Sequence, residues 1–81
     1  MGKLRVMAST GDKTVTWDRD RVEVGDREAL EAVREAERIF EEERARGATG
    51  FKVDSNRVAE RIDCFDPEAD EIVMVPRIVG G

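Results

Sequence analysis

Residues 27–46 constrain this chain most, because they carry seven apolar side chains at helical spacing: Ala29, Leu30, Ala32, Val33, Ala36, Ile39 and Phe40. Asp26 stands where it can accept a free first-turn N–H. Glu28 complements the positive end of the helix, and Gly47 is the natural stop. A helix of twenty residues is about 30 Å long, whereas a strand of five or six covers only about 17–20 Å. The helix is therefore expected to overhang any sheet it packs on. The large apolar residues indeed end at Phe40, and residues 41–46 are almost wholly charged. Glu35 with Arg38, Arg38 with Glu42 and Glu42 with Arg46 can pair along that solvated surface, each for only about 0.2–0.5 kcal/mol.

On both sides of the helix the apolar period changes from 3.6 to 2. Residues 3–8 alternate Leu4, Val6 and Ala8 against Lys3, Arg5 and Met7, the pattern of a half-buried strand. Ser9, Thr10, Gly11 and Asp12 form a turn cluster. A second strand follows over residues 13–18, with Val15 and Trp17 on one face and Thr14 and Thr16 on the other, so the two read as a hairpin. Residues 19–24 alternate again but lack a second large apolar neighbour, and they read as a loop. Beyond the helix, residues 48–53 set Phe51 and Val53 around Lys52 as a third strand, and Asp54, Ser55 and Asn56 turn the chain. A short fourth strand is expected around Arg61, Ile62 and Asp63, with Val58 and Ile62 facing in. After Pro67, the unbroken apolar run Ile72, Val73, Met74 and Val75 predicts an inner strand, and Pro76, which has no N–H to donate, ends it. The helix is expected to pack through Leu30, Val33, Ala36 and Phe40 onto a face bearing Val6, Val15 and Val73.

A chain of 81 residues is one domain that buries only about 60–65% of its unfolded surface, which leaves little room for an internal catalytic cleft. Charged residues are 41% of the chain and the net charge is −5. That balance argues against nucleic acid or an anionic membrane as partner and favours a basic partner surface. No histidine is present, which removes Ser-His-Asp and Cys-His catalysis and His-containing zinc sites together. The single cysteine, Cys64, cannot close an intramolecular disulfide, and no apolar leader or spanning segment opens the sequence, so a reducing cytoplasm is the expected location. Cys64 lies between Asp63 and Asp66, which oppose its ionisation, and reads as a packed or idle thiol. Asp63, Asp66, Glu68, Asp70 and Glu71 crowd one loop but lack a calcium-loop spacing, so an acidic docking surface is a better reading than a metal site.

The last residues are Arg77, Ile78, Val79, Gly80 and Gly81. At an average glycine frequency of roughly 7%, two terminal glycines arise by chance in roughly one chain in two hundred. One reading is a frayed end. The other is a carboxylate that must enter a partner's active site, because only a backbone without β-carbons threads a narrow channel in any conformation.

A strand, proline, a short tail and a terminal Gly-Gly resemble the ubiquitin-like β-grasp superfamily, and especially its sulfur carriers, the molybdopterin-synthase small subunit and the thiamine sulfur carrier. Residues 10–16, Thr-Gly-Asp-Lys-Thr-Val-Thr, are similar to the opening hairpin of ubiquitin with Asp12 added. The resemblance implies an α+β fold, a mixed sheet of four to five strands packed on one long helix, with the last strand inside the sheet beside the first. It implies a β-grasp domain over residues 1–76 and a flexible tail over 77–81. It also implies a carrier rather than an enzyme. A ThiF-like activating enzyme would use ATP and Mg²⁺ to adenylate the Gly81 carboxylate, recognising Arg77, Ile78 and Val79 and threading Gly80 and Gly81, while the carrier itself binds no cofactor or metal. The adenylate would then take sulfur and donate it as a thiocarboxylate to an acceptor enzyme. In a modifier the activated carbonyl would pass instead to a target lysine. A non-catalytic β-grasp binding or assembly subunit is the remaining alternative.

Overall fold

The computed structural model describes residues 1–7 and 11–77. Their order is β1 (Gly2–Val6), β2 (Lys13–Trp17), α1 (Arg19–Glu23), α2 (Arg27–Ala45), β3 (Thr49–Val53), β4 (Ala59–Ile62) and β5 (Glu71–Val75). The five strands form one mixed sheet in the order β2-β1-β5-β3-β4, with α2 against one face, so the fold is α+β with one long helix. β5 lies in the middle, parallel to β1 and antiparallel to β3, as its continuous apolar run predicts. Ala8, the last residue of the expected first strand, and the turn residues Ser9 and Thr10 lie outside the described residues.

The helix forms where the spacing places it. Asp26 caps it, its carboxylate accepting from the Ala29 N–H at 3.0 Å. At the other end Gly47 takes φ +98°, its N–H donating to the Arg44 carbonyl and the Ala48 N–H to that of Glu43, both at 2.9 Å. Those two bonds satisfy carbonyls that a helix end otherwise leaves open. Arg38 bonds to both Glu35 and Glu42 as expected, but Arg46 lies 3.7 Å from Glu43 rather than pairing with Glu42.

The core is Leu4, Val6, Trp17, Ala36, Ile39, Phe40, Ala69, Ile72 and Met74. Phe65, in the loop between β4 and β5, joins its two largest rings: its centroid lies 5.5 Å from that of Trp17 and 5.9 Å from that of Phe40. The Trp17 indole N–H donates to the Pro67 carbonyl at 3.0 Å, so the same loop satisfies the buried tryptophan's one polar atom. Gly50 faces α2, and a β-carbon there would stand 2.7 Å from the Phe40 ring. The absence of a side chain at Gly50 is what lets Phe40 reach the sheet.

Four expectations are corrected. Residues 19–24 are not a loop: Asp18 accepts from the N–H groups of Asp20 at 3.0 Å and Arg21 at 3.3 Å and caps α1, and Val22 packs on the core. Five residues are too few to display a 3.6-residue period. Val58 does not face in but is 60% exposed, because β4 begins after it; the Asp54 carboxylate accepts its N–H at 3.1 Å and holds it in the turn. Val73 lies on the face away from α2, since Ile72 and Met74 are the neighbours that point to the helix. Leu30 is only half-buried and lies outside the core cluster, where Ile39 and Ala36 are central.

Candidate functional site

Of the tail residues singled out by sequence, the structure describes Arg77; Ile78, Val79, Gly80 and Gly81 lie outside the described residues. β5 carries the chain to that tail. Its parallel pairing with β1 is extended by the Met7 N–H, which donates to the Met74 carbonyl at 3.1 Å. Thr49 pairs with Val75, so the chain leaves the sheet at Pro76 beside the connection from α2 to β3. Arg77 is exposed, and its aliphatic stem crosses Gly47: a β-carbon on that glycine would be 3.1 Å from Arg77 Cδ. The basic tail residue thus sits at the C-terminal end of α2, the end whose open carbonyls favour a cation.

The residues that make up the sheet face away from α2 were not named as such from the sequence. Alternation turns Arg5, Val73, Phe51 and Arg61 onto it, and the register aligns them in one row across β1, β5, β3 and β4. Val53 and Val75 lie beside that row. All four apolar residues are half-buried, and none belongs to the core or packs on it. Lys3 and Arg5 border them on one side and Arg61 on the other. Arg5 Nε is buried with no hydrogen-bond partner, alone in this among the described side-chain nitrogens and oxygens. The signal that could have revealed this face is the run Ile72–Val75 itself, because a strand apolar on both sides needs apolar surroundings on both sides.

The carboxylates of the loop before β5 are mostly engaged within the chain. Asp66 lies 3.3 Å from Lys52 and accepts the Glu68 N–H at 3.0 Å; Asp70 lies 2.9 Å from Arg19, and Glu71 faces Lys3 at 3.9 Å. Arg44 bonds to the Asp63 carbonyl oxygen, with its carboxylate 3.6 Å away. These pairs fasten the loop to β3, to α1 and to the last turn of α2, which leaves less of an acidic docking surface than the composition suggests. Among the described residues no group of three or more cysteine, aspartate or glutamate side chains is placed to hold a metal ion. Cys64 is exposed rather than packed.

A shallow cavity of about 430 Å³ lies at the end of the sheet opposite Val75, bordered by Gly2, Lys3, Arg19, Asp54, Asp70 and Glu71. Several of its charged groups are engaged within the chain: besides the pairs above, Arg19 donates to the Glu68 carbonyl at 2.8 Å. On the exposed surface of α2, the hydrogen bond from Arg38, together with its charge, holds the Glu35 carboxyl below its ordinary range, and the same pairing raises Arg38. Among the described residues no helix is long and apolar enough to cross a membrane. The chain matches no family model, no curated protein and no solved structure.

Proposed function

We propose that this chain is a β-grasp carrier whose Gly81 carboxylate is adenylated by a ThiF-like activating enzyme and then receives sulfur as a thiocarboxylate. The observation that carries the reading is the position of β5. It is a central strand beside β1, as the resemblance implies, and it carries the chain to Pro76 and to Arg77 at the end of α2, with Ile78 and Val79 alone between Arg77 and the Gly80-Gly81 pair in the sequence. A central strand, hydrogen-bonded on both edges, is a rigid base from which to project a short tail. The chemistry needs no catalytic group in the carrier. A carboxylate resists nucleophilic attack, and the partner's ATP and Mg²⁺ convert it to an acyl-adenylate from which AMP can leave.

Conjugation of Gly81 to a target lysine is the second reading. Arg77, exposed in the tail, favours it, because the tail of ubiquitin is similar there. Intact-mass analysis of the protein incubated with its cognate activating enzyme, ATP and a sulfur donor separates the two. Replacement of one terminal oxygen by sulfur supports the sulfur carrier, and an isopeptide bond from Gly81 to lysine supports the modifier. A terminus left unchanged by the incubation overturns the proposal in favour of a β-grasp binding subunit.

A further inference from the structure

Among the described residues three glycines take positive φ: Gly11 at +127°, Gly25 at +79° and Gly47 at +98°. Left-handed backbone explains glycine equally well at each of them. They differ in what surrounds the missing side chain. Gly25 and Gly47 hold the same place, each following the C-cap residue of its helix, α1 or α2. A β-carbon on Gly11 or Gly25 would have no atom within 4 Å, whereas on Gly47 it would lie 3.1 Å from Arg77 Cδ and 3.5 Å from Arg77 Cβ. Ending a helix therefore does not require a covered glycine, and the covering of Gly47 has a separate cause. We propose that Gly47 is a positioning residue for the C-terminal tail: its bare backbone seats the Arg77 stem, and the seat fixes the direction in which the tail leaves toward the activating enzyme. The proposal rests on the carrier reading of Gly81.

Three successive constraints meet at this point. Val75 is paired with Thr49, and the Met7 N–H holds the Met74 carbonyl from the other edge of β5 at 3.1 Å. Pro76 has its own φ fixed at about −65° and keeps Val75 extended. Arg77 then lies along Gly47. The N–H groups of Gly47 and Ala48 already donate to the Arg44 and Glu43 carbonyls, so the seat cannot shift without opening the end of α2. Only four residues follow Arg77 in the sequence. Fully extended they reach at most about 14 Å, so a swing of roughly 30° at Arg77 would move the Gly81 carboxylate by about 7 Å. A tail that starts in one direction is already in the conformer the enzyme takes, and apparent affinity falls by whatever fraction of the chains is misdirected. The seat acts on binding, not on the adenylation step.

The test uses two substitutions that rank oppositely in stability and in bulk. Alanine adds only a β-carbon to the seat but tolerates positive φ poorly, whereas asparagine tolerates it and adds a larger side chain. Gly47→Asn is expected to melt at the higher temperature of the two and yet to be the worse substrate. With the full chain, ATP and the cognate activating enzyme, KM for the carrier is expected to rise about three- to tenfold in Gly47→Asn and less in Gly47→Ala, with kcat unchanged in both. In an Arg77→Ala background Gly47→Asn is expected to have no further effect on KM, because the stem it displaces is gone. NMR of the parent is expected to show NOE contacts between the Gly47 α-protons and the Arg77 δ-protons. A KM that follows stability, with Gly47→Ala the worse, would reduce Gly47 to a helix stop and overturn the proposal. Additive effects in the double variant, or no Gly47–Arg77 contact in the parent, would overturn it as well. A parent chain that the enzyme does not activate overturns the carrier reading and this proposal with it, whereas an active parent with equal KM in all three chains overturns this proposal alone.

Discussion

The aliphatic stem of Arg77 rests on Gly47, the residue that ends α2 with a φ of +98°. One glycine thus serves two purposes, reversing the helix and leaving room for the first described residue of the tail. Gly47→Ala is expected to lower stability by about 1 kcal/mol for the left-handed backbone alone, or roughly 4–8 °C in a domain of this size. Thermal unfolding of the variant measures it. A melting temperature equal to that of the parent would contradict the described helix end.

Phe40 and Phe51 differ by which side of the sheet they occupy. Phe40 is fully buried among α2, Gly50 and Phe65, and Phe40→Ala is expected to cost about 3–5 kcal/mol. Phe51 lies on the open face outside the core, and Phe51→Ala is expected to cost far less, about 1 kcal/mol. Urea unfolding of the two variants tests the face assignment. Comparable losses at both positions would mean that the strand register is wrong.

Arg38 bonds to Glu35 at the surface of α2 and depresses its carboxyl pKa. A depressed carboxylate stabilises the fold above its unfolded pKa, and that contribution disappears as pH falls through the folded value. Arg38→Gln is expected to raise the Glu35 pKa toward the ordinary range, which a carboxyl-detected NMR titration reads directly. The change in stability should be small, because exposed pairs are screened by solvent and salt. A Glu35 titration unmoved by the substitution would remove the assigned cause.

Arg77 is the tail residue that the structure places, exposed at the end of α2. Arg77→Glu is expected to slow activation by the cognate enzyme by about tenfold or more, the loss of one charge-assisted contact with a new repulsion added. Steady-state pyrophosphate release measures it. An unchanged rate would take Arg77 out of the recognition surface and with it the main support for the modifier reading.

α2 and β5 were legible in the sequence because each satisfies its surroundings along its own length. α2 has a cap at Asp26, a stripe through Phe40 and a stop at Gly47, and β5 has an apolar run bounded by Pro76. What escaped depends on contacts between distant residues. α1 is held by the Asp18 cap, by Val22 on the core and by Arg19 reaching Glu68 and Asp70, of which only the cap is local. Phe65 lies in a loop without period, and its position between Trp17 and Phe40 follows only once the sheet is assembled. The open face escaped for a similar reason. Arg5, Val73, Phe51 and Arg61 come from four strands, and register alone brings them into one row.

The most direct test of the carrier account is ATP-dependent adenylation of the terminus, followed by pyrophosphate exchange with the cognate ThiF-like enzyme. It compares the parent chain with variants lacking Gly81 or bearing one residue after it. The account predicts exchange with the parent, none above background with either variant, and melting temperatures that agree among all three, because the change lies beyond the core. Exchange by the variants at the parent's rate, or none by the parent, would contradict it.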